Sequence, residues 1–395
     1  MPSSRRGVNS VLLQAPPLSL YVHLPWCVRK CPYCDFNSHV APPTLPQVDY
    51  VQALLADLEL DLPQVQGREL VSIFFGGGTP SLFEPRAIER VIDGARERLA
   101  CTSAIEITLE ANPGTIERGR FSEFRGAGVT RVSLGVQSFD PLHLHNLGRI
   151  HQTPEIFAAV ADLVDAGIDN FNLDLMYGLP QQSVAQALSD VGAAVALGPR
   201  HLSHYQLTLE PGTVFHHRPP AGLPDDNETW EMQIQCQQLL AQHGYAQYEV
   251  SAYARAGQQC RHNLNYWQFG DYLGVGAGAH GKLTDLGAGR IVRTTRVRQP
   301  RDYLQRSPQA RLEQQVIASQ QLPFEFMLNA LRLLTGFSLP DFEHRTGLPG
   351  AAIGPELAAA CSKGLLVTED HRHYRASDLG MRFLNDLLGM FLRNA

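Results

Sequence analysis

Apolar and polar positions follow two rhythms along this chain. From about residue 18, short runs rich in β-branched and aromatic residues, SLYVHL, VSIFFGGG, EITLEANP, RVSLGVQSF, FNLDLMYGLP and HLSHYQLTLEP, take turns with longer stretches of helical spacing. DYVQALLADLELDL, PRAIERVIDGARERL, RFSEFRGAG, PEIFAAVADLVDAG and SVAQALSDVGAAVAL are the helical members. This alternation predicts an α/β fold of βα units around a parallel sheet. Six such strands suit a partial or complete barrel.

Several strands end in small or polar groups: GGGTP (76–80), EANPG (110–114), GVQSF (135–139) and DLMYGLP (174–180). The C-terminal ends of strands are where βα barrels build their sites, so these motifs are expected to converge on one mouth. Another helix is expected over residues 225–243, followed by GYAQYEVSAYA and then the aromatic and glycine-rich CRHNLNYWQFGDYLGVGAGAHG. Past Pro300 the pattern turns helical, with a hairpin in GLLVTEDHRHYRAS, which reads as a small α+β, winged-helix-like module. The expected organisation is a flexible tail (1–17), a barrel (18–250), a connecting region (251–310) and a C-terminal domain (311–395).

Composition narrows the partners. The 395 residues are too many for one small core. A net charge of −6 gives no strong pull toward nucleic acid or an anionic membrane. Residues 321–395 carry seven Lys or Arg against eight Asp or Glu, whereas a DNA-binding wing is normally basic, so a packing or lid role is expected there. No apolar run reaches the roughly 18 residues of a membrane span. The N-terminal MPSSRRGVNSVLLQAPPLS carries two arginines, but Asn9, Ser10, Gln14, Pro16 and Pro17 interrupt any signal-like apolar core. Seven cysteines, an odd number, suit reduced thiols and a cytoplasmic location better than a disulfide framework.

Three of those cysteines, Cys27, Cys31 and Cys34, fall within CVRKCPYC. Thiolates suit zinc, copper(I) or iron–sulfur clusters, and softness alone does not separate zinc from iron–sulfur. A [4Fe–4S] cube wants one ligand per iron, so three cysteines would leave one iron open. GGGTP follows the VSIFF strand, and glycine lets a backbone approach a ligand without a Cβ in the way.

The C-x3-C-x2-C spacing, with Tyr33 before the last cysteine, resembles the radical SAM superfamily. YVHLPWC, CPYCDFNS, FFGGGTPS, EANPGT, GVQSF, LGRIH and NLDLMYGLP sharpen this to the group holding oxygen-independent coproporphyrinogen III oxidase and the HemW-type heme chaperones. The resemblance implies a radical SAM partial (βα)6 barrel, a [4Fe–4S] cluster on Cys27, Cys31 and Cys34, and S-adenosylmethionine (SAM) bound at the open iron. It places SAM on Tyr21, Tyr33, Gly77, Gly78, Thr79, Glu110, Gln137, Arg149 and Asp174. Phe36 stands where the oxidase has a further cysteine, and little sequence precedes the barrel, so a chaperone rather than the oxidase is expected. HNLNYW (262–267) matches the HNxxYW motif of the chaperones, which makes His262, Tyr266 and Trp267 the expected heme contacts.

Neutral imidazole is a good heme-iron ligand, and Tyr266 and Trp267 offer flat faces to a macrocycle. A buried structural histidine is the plain alternative for His262, and Cys260 is the second-ranked ligand. Arg290, Arg293, Arg296, Arg298 and Arg301 either meet heme propionates or form a solvated face. Cys101, Cys236 and Cys361 read as small buried hydrophobes. The resemblance further implies heme as cargo, recipient hemoproteins of respiratory type, and compatibility with peripheral membrane contact and a homodimer.

Overall fold

The six expected strands lie side by side in sequence order. A computed structural model describes residues 13–65, 67–114 and 119–392. Strands β1 (Leu18–Leu24), β2 (Glu69–Gly77), β3 (Ala100–Ala111), β4 (Arg131–Gln137), β5 (Phe171–Tyr177) and β6 (His201–Gln206) are all parallel. Helices α1 (Gln47–Asp61), α2 (Pro85–Arg98), α3 (Phe121–Gly126), α4 (Thr153–Asp165) and α5 (Val184–Ala196) make the returns. Strands covered on both faces are expected to be apolar throughout, and every residue of β4 is buried. Start signals are local: Ser183 and Gln186 cap α5 reciprocally, and Pro85 opens α2.

The sheet does not stop at six strands. Beyond β6 lie the antiparallel strands β8 (Ala252–Ala254) and β7 (Ala246–Glu249). On the other side, β9 (Asp271–Val275) pairs parallel with β1 and is followed by antiparallel β10 (His280–Asp285), β11 (Arg290–Arg296) and β12 (Leu312–Val316). The stretch expected to connect two domains therefore extends the barrel sheet. A short helix of that stretch, α7 (Arg261–Trp267), packs against β1, β2 and β9. Earlier in the chain, between β6 and β7, runs α6 (Asp226–Gln242), packed against α5.

A second apolar core, including Phe326, Phe337, Phe342 and Phe391, forms the C-terminal module around the three-stranded sheet Phe337–Ser338, His373–Ala376 and Leu366–Val367. The expected tail is only partly one. Residues 1–12 lie outside the described residues, but Gln14 donates its backbone N–H to the His344 carbonyl, and Asp271 donates to Pro17.

Buried ion pairs fasten the added strands. Arg296 donates to Asp57 at 2.6 Å and to Asp61 at 2.7 Å, with none of the three side chains exposed. Asp271 accepts from Arg68, Lys282 and Thr284. Arg296 is thus a structural clasp between α1 and β11, which corrects its expected place on an arginine surface. Arg293 pairs with Glu325 and Arg290 with Asp285, leaving Arg298 and Arg301 exposed, the first of them beside a cavity.

Candidate functional site

The loop after β1 carries the three thiols, and its shape follows from backbone bonds. Trp26–Cys27 pairs with His39–Val40 in a two-residue parallel ladder, and Cys34 N–H donates to the Cys31 carbonyl. The end of β2 meets this loop: Gly78 donates to Leu24 and Thr79 to Trp26, at 2.8 and 2.7 Å. A Cβ on Gly78 would lie 2.5 Å from the Trp26 carbonyl oxygen, so only glycine lets the two segments close. Gly77 adopts φ +115°, and a Cβ there would meet the His23 ring.

Cys27, Cys31 and Cys34 line one cleft of about 490 Å³. All seven cysteines of the chain are free thiols. Burial pushes the Cys27 and Cys34 thiols up from their ordinary value. Among the described residues no three His, Cys, Asp or Glu side chains are grouped to hold a metal ion. The donor set is three thiols from one short loop sharing one cavity, which fits the corner ligands of an iron–sulfur cube.

The same cleft collects Tyr33, Gly77, Gly78, Thr79, Glu110, Gln137, Arg149 and Asp174. Arg149 is the hub. Its Nη2 donates to the Gly135 carbonyl at 2.7 Å and to Asn112, and Nη1 lies 3.7 Å from the Cys31 sulfur. Its buried Nε has no partner. Asn112 also donates to Thr79 Oγ1 at 2.9 Å. Sequence reasoning quoted EANPG but passed over this asparagine, which joins two of the expected SAM residues.

Glu110 accepts from the Gly77 N–H at 3.2 Å. Burial, and then the charge of Asp174, push its carboxyl up to about 8. Burial also raises Asp174, against the hydrogen bonds it accepts from Asn172 (2.7 Å) and Ser133 (3.1 Å). Gln137 takes φ +70° and accepts from the Tyr205 hydroxyl at 2.8 Å. An acidic carboxyl held neutral near pH 7 offers a donor as well as an acceptor to an amine or hydroxyl.

Tyr21, the remaining expected SAM residue, opens instead on a second cavity of about 450 Å³, with its hydroxyl 3.0 Å from His23 Nδ1. Gly77, Glu110 and Phe36 line both cavities. Phe36, 60% exposed, thus stands on the rim between them.

Helix α7 splits the HNxxYW residues between two surroundings. Asn263 and Trp267, one turn apart, face the cleft, and Arg332 lies over the Trp267 ring at 4.3 Å. Tyr266 lines the second cavity, stacked on Tyr272 at 4.2 Å. His262 lines neither. Its ring stacks on Phe74 at 4.6 Å, with Nδ1 3.3 Å from Ser72 Oγ, and burial, then Arg131, lower its pKa to about 3. Cys260 is also internal: its thiol donates to Glu106 at 3.4 Å, and burial raises it to about 12. Cys236 is buried, while Cys101 and Cys361 are half-buried against the cores.

Comparison with known proteins covers both parts of the chain. Residues 21–191 match the radical SAM superfamily, and residues 317–383 match the HemN C-terminal domain. The chain is 50% identical over 381 residues to the heme chaperone HemW of Escherichia coli, covering 96% of this chain and 100% of that one. It is 47% identical to the heme chaperone HemW of Haemophilus influenzae, over 95% and 98% of the two chains. Among solved structures, coproporphyrinogen III oxidase (HemN) from Escherichia coli superposes with a TM-score of 0.79 at 22% identity, covering 95% of this chain and 90% of that one. At that identity the likeness concerns the fold.

Proposed function

The chain belongs to the HemW family of heme chaperones within the radical SAM superfamily, and from that premise we propose that it binds heme and delivers it to hemoproteins. It does so while carrying a [4Fe–4S] cluster and SAM. Cys27, Cys31 and Cys34 hold the cluster. Tyr33, Gly77, Gly78, Thr79, Glu110, Gln137, Arg149 and Asp174 receive SAM, with Tyr21 closing the site from the second cavity. Bound there, such a cluster supplies an open iron for chelation and a one-electron couple.

The protein's own groups do the rest. Arg149 orients the cysteine loop and offers a fork for a carboxylate. Glu110, held mostly protonated near pH 7, and Asp174 meet the amine and ribose hydroxyls. The glycine turn lets the ligand lie against backbone. The observation that carries this reading is the convergence of three free thiols, the glycine turn and Arg149 on one cleft.

His262, Tyr266 and Trp267 receive the heme. Burial keeps the His262 imidazole neutral, the form that ligates iron. Recipients are respiratory hemoproteins, and free cysteines throughout suit a cytoplasmic setting. Among the described residues no helix is long and apolar enough to cross a membrane.

The test is to reconstitute the cluster anaerobically and supply coproporphyrinogen III, SAM and a reductant, while titrating heme separately. Heme uptake lost in His262→Ala but kept when Cys27, Cys31 and Cys34 are replaced supports two separate sites. Formation of protoporphyrinogen refutes the chaperone reading in favour of the oxidase.

A further inference from the structure

Strand β4 lines the cleft from mouth to floor. Side chains of a strand alternate between faces, and Arg131, Ser133, Gly135 and Gln137 all line the cavity. Gln137 stands at the mouth beside Arg149, whereas Arg131 opens the strand. At about 3.3 Å per residue, the backbone of Arg131 lies roughly 20 Å from that of Gln137 along the strand, and its side chain reaches back far enough to act on Glu110 and Asp174. The cleft thus has an inner end, away from the thiols.

That inner end holds a guanidinium with no hydrogen-bonding partner. Arg131 is 2% exposed, and among the described residues it makes no hydrogen bond or ion pair. Glu106, Asp174 and Glu110 act on it through space and raise its pKa against burial, but none of the three bonds to it and each is committed elsewhere, Glu110 to the Gly77 N–H. Glu106 accepts from Cys260 and from the backbone N–H groups of Arg261 and His262, and Asp174 from Asn172 and Ser133. A buried guanidinium with no partner costs several kcal/mol, and native proteins rarely leave one without a ligand, ion or water to answer it. Its rigid fork matches a carboxylate in two parallel hydrogen bonds.

We propose that Arg131 is the receptor for a ligand carboxylate at the inner end of the cleft, distinct from the thiol-side site organised by Arg149. The neighbouring groups suit an anion on a partly apolar body. Trp267 and Phe74 supply flat walls, and Asn263 and Ser251 supply neutral polar edges. Two sources present this chemistry: a propionate arm of a tetrapyrrole, or a small free dicarboxylate. The tetrapyrrole arm rests on the heme-carrying function proposed above; the dicarboxylate arm does not.

The experiment uses the full chain with its cluster reconstituted, and the Arg131→Met and Arg131→Lys forms. Calorimetric titrations are made with protoporphyrin IX, its dimethyl ester and succinate, and melting is followed without added ligand. Arg131→Met is expected to weaken one acid probe at least tenfold, and Arg131→Lys, which keeps charge without the fork, to recover only part. If the source is a propionate, the diester binds wild type as weakly as the acid binds Arg131→Met. If it is a small acid, succinate alone shows the loss. Without ligand, the melting curve of Arg131→Met shows that the variant is folded when its affinities are read.

Equal affinities in wild type and Arg131→Met, or no binding of either acid by wild type, overturn the proposal. Failure of the wild-type chain to take up heme, with succinate binding intact, would refute the chaperone reading and leave the Arg131 site standing.

Discussion

Arg149 reaches the sulfur of Cys31 at 3.7 Å while its other nitrogen donates to the Gly135 carbonyl at 2.7 Å, so one guanidinium spans the cysteine loop and the inner face of β4. Replacing it with methionine loosens the loop and removes a fork aimed at a carboxylate. Hydrogen bonds to charged groups are worth about 1.5–3 kcal/mol. We expect Arg149→Met to bind SAM at least about tenfold more weakly and to retain less iron after reconstitution. Arg149→Lys should stay nearer to Arg149→Met than to wild type. Equilibrium dialysis with SAM and iron content per chain read both effects, and wild-type values in Arg149→Met would remove this residue from the site.

Glu110 gives the fold a pH dependence. Its carboxyl is raised to about 8 from 4.5 by burial, with Asp174 adding to the shift. The folded protein therefore keeps a proton that the unfolded chain releases above about pH 4.5. This contribution to stability is fully present below that pH and is lost as pH rises through about 8. Glu110→Gln keeps a neutral side chain at every pH. Its advantage over wild type in urea denaturation should grow from pH 5 to pH 8, and a constant difference would contradict the raised pKa.

Gly78→Ala places a methyl 2.5 Å from the Trp26 carbonyl oxygen, a backbone atom that cannot step aside. Overpacking of this kind typically costs about 1–3 kcal/mol. The turn should open, lowering both the midpoint of thermal unfolding and SAM affinity. Retention of full SAM affinity would show that the turn does not set the binding geometry.

Arg296→Met leaves Asp57 and Asp61 buried without their partner. Breaking a buried pair on one side costs about 3–5 kcal/mol. Asp57→Asn with Asp61→Asn, added to Arg296→Met, should recover much of the loss, because the stranded charges are gone. Chemical denaturation of the single and triple variants measures this. A triple variant no more stable than the single one would argue that packing, not charge, holds α1 to β11.

Legibility from sequence followed locality. The cysteine loop and the GGGTP turn were readable because each is a contiguous segment whose residue types answer one local demand. The six parallel strands were readable because each repeats the same apolar run and helical return. Strand β9 was not, since DYLGV runs straight into the glycine-rich turn GAGAH and only its pairing with β1, some 250 residues earlier, makes it a strand. Arg296 looked like one more surface arginine, because the acids that bury it lie on α1. Arg131, a lone charge at the head of an apolar strand, carries no signal until the cavity is seen around it.

The pairing of β1 with β9 also sets a timetable for synthesis. Leu18 to Val22 face Asp271 to Val275, and Asn37, just beyond the cysteine loop, donates to the carbonyls of Ala277 and Arg298. Contacts so distant in sequence are closed late, and a nascent chain grows at about 5–20 residues per second. The cysteine loop therefore leaves the ribosome many seconds before the strands and carbonyls that lock it exist. During that interval the three thiols stand open to whatever loads iron and sulfide, and to oxidants.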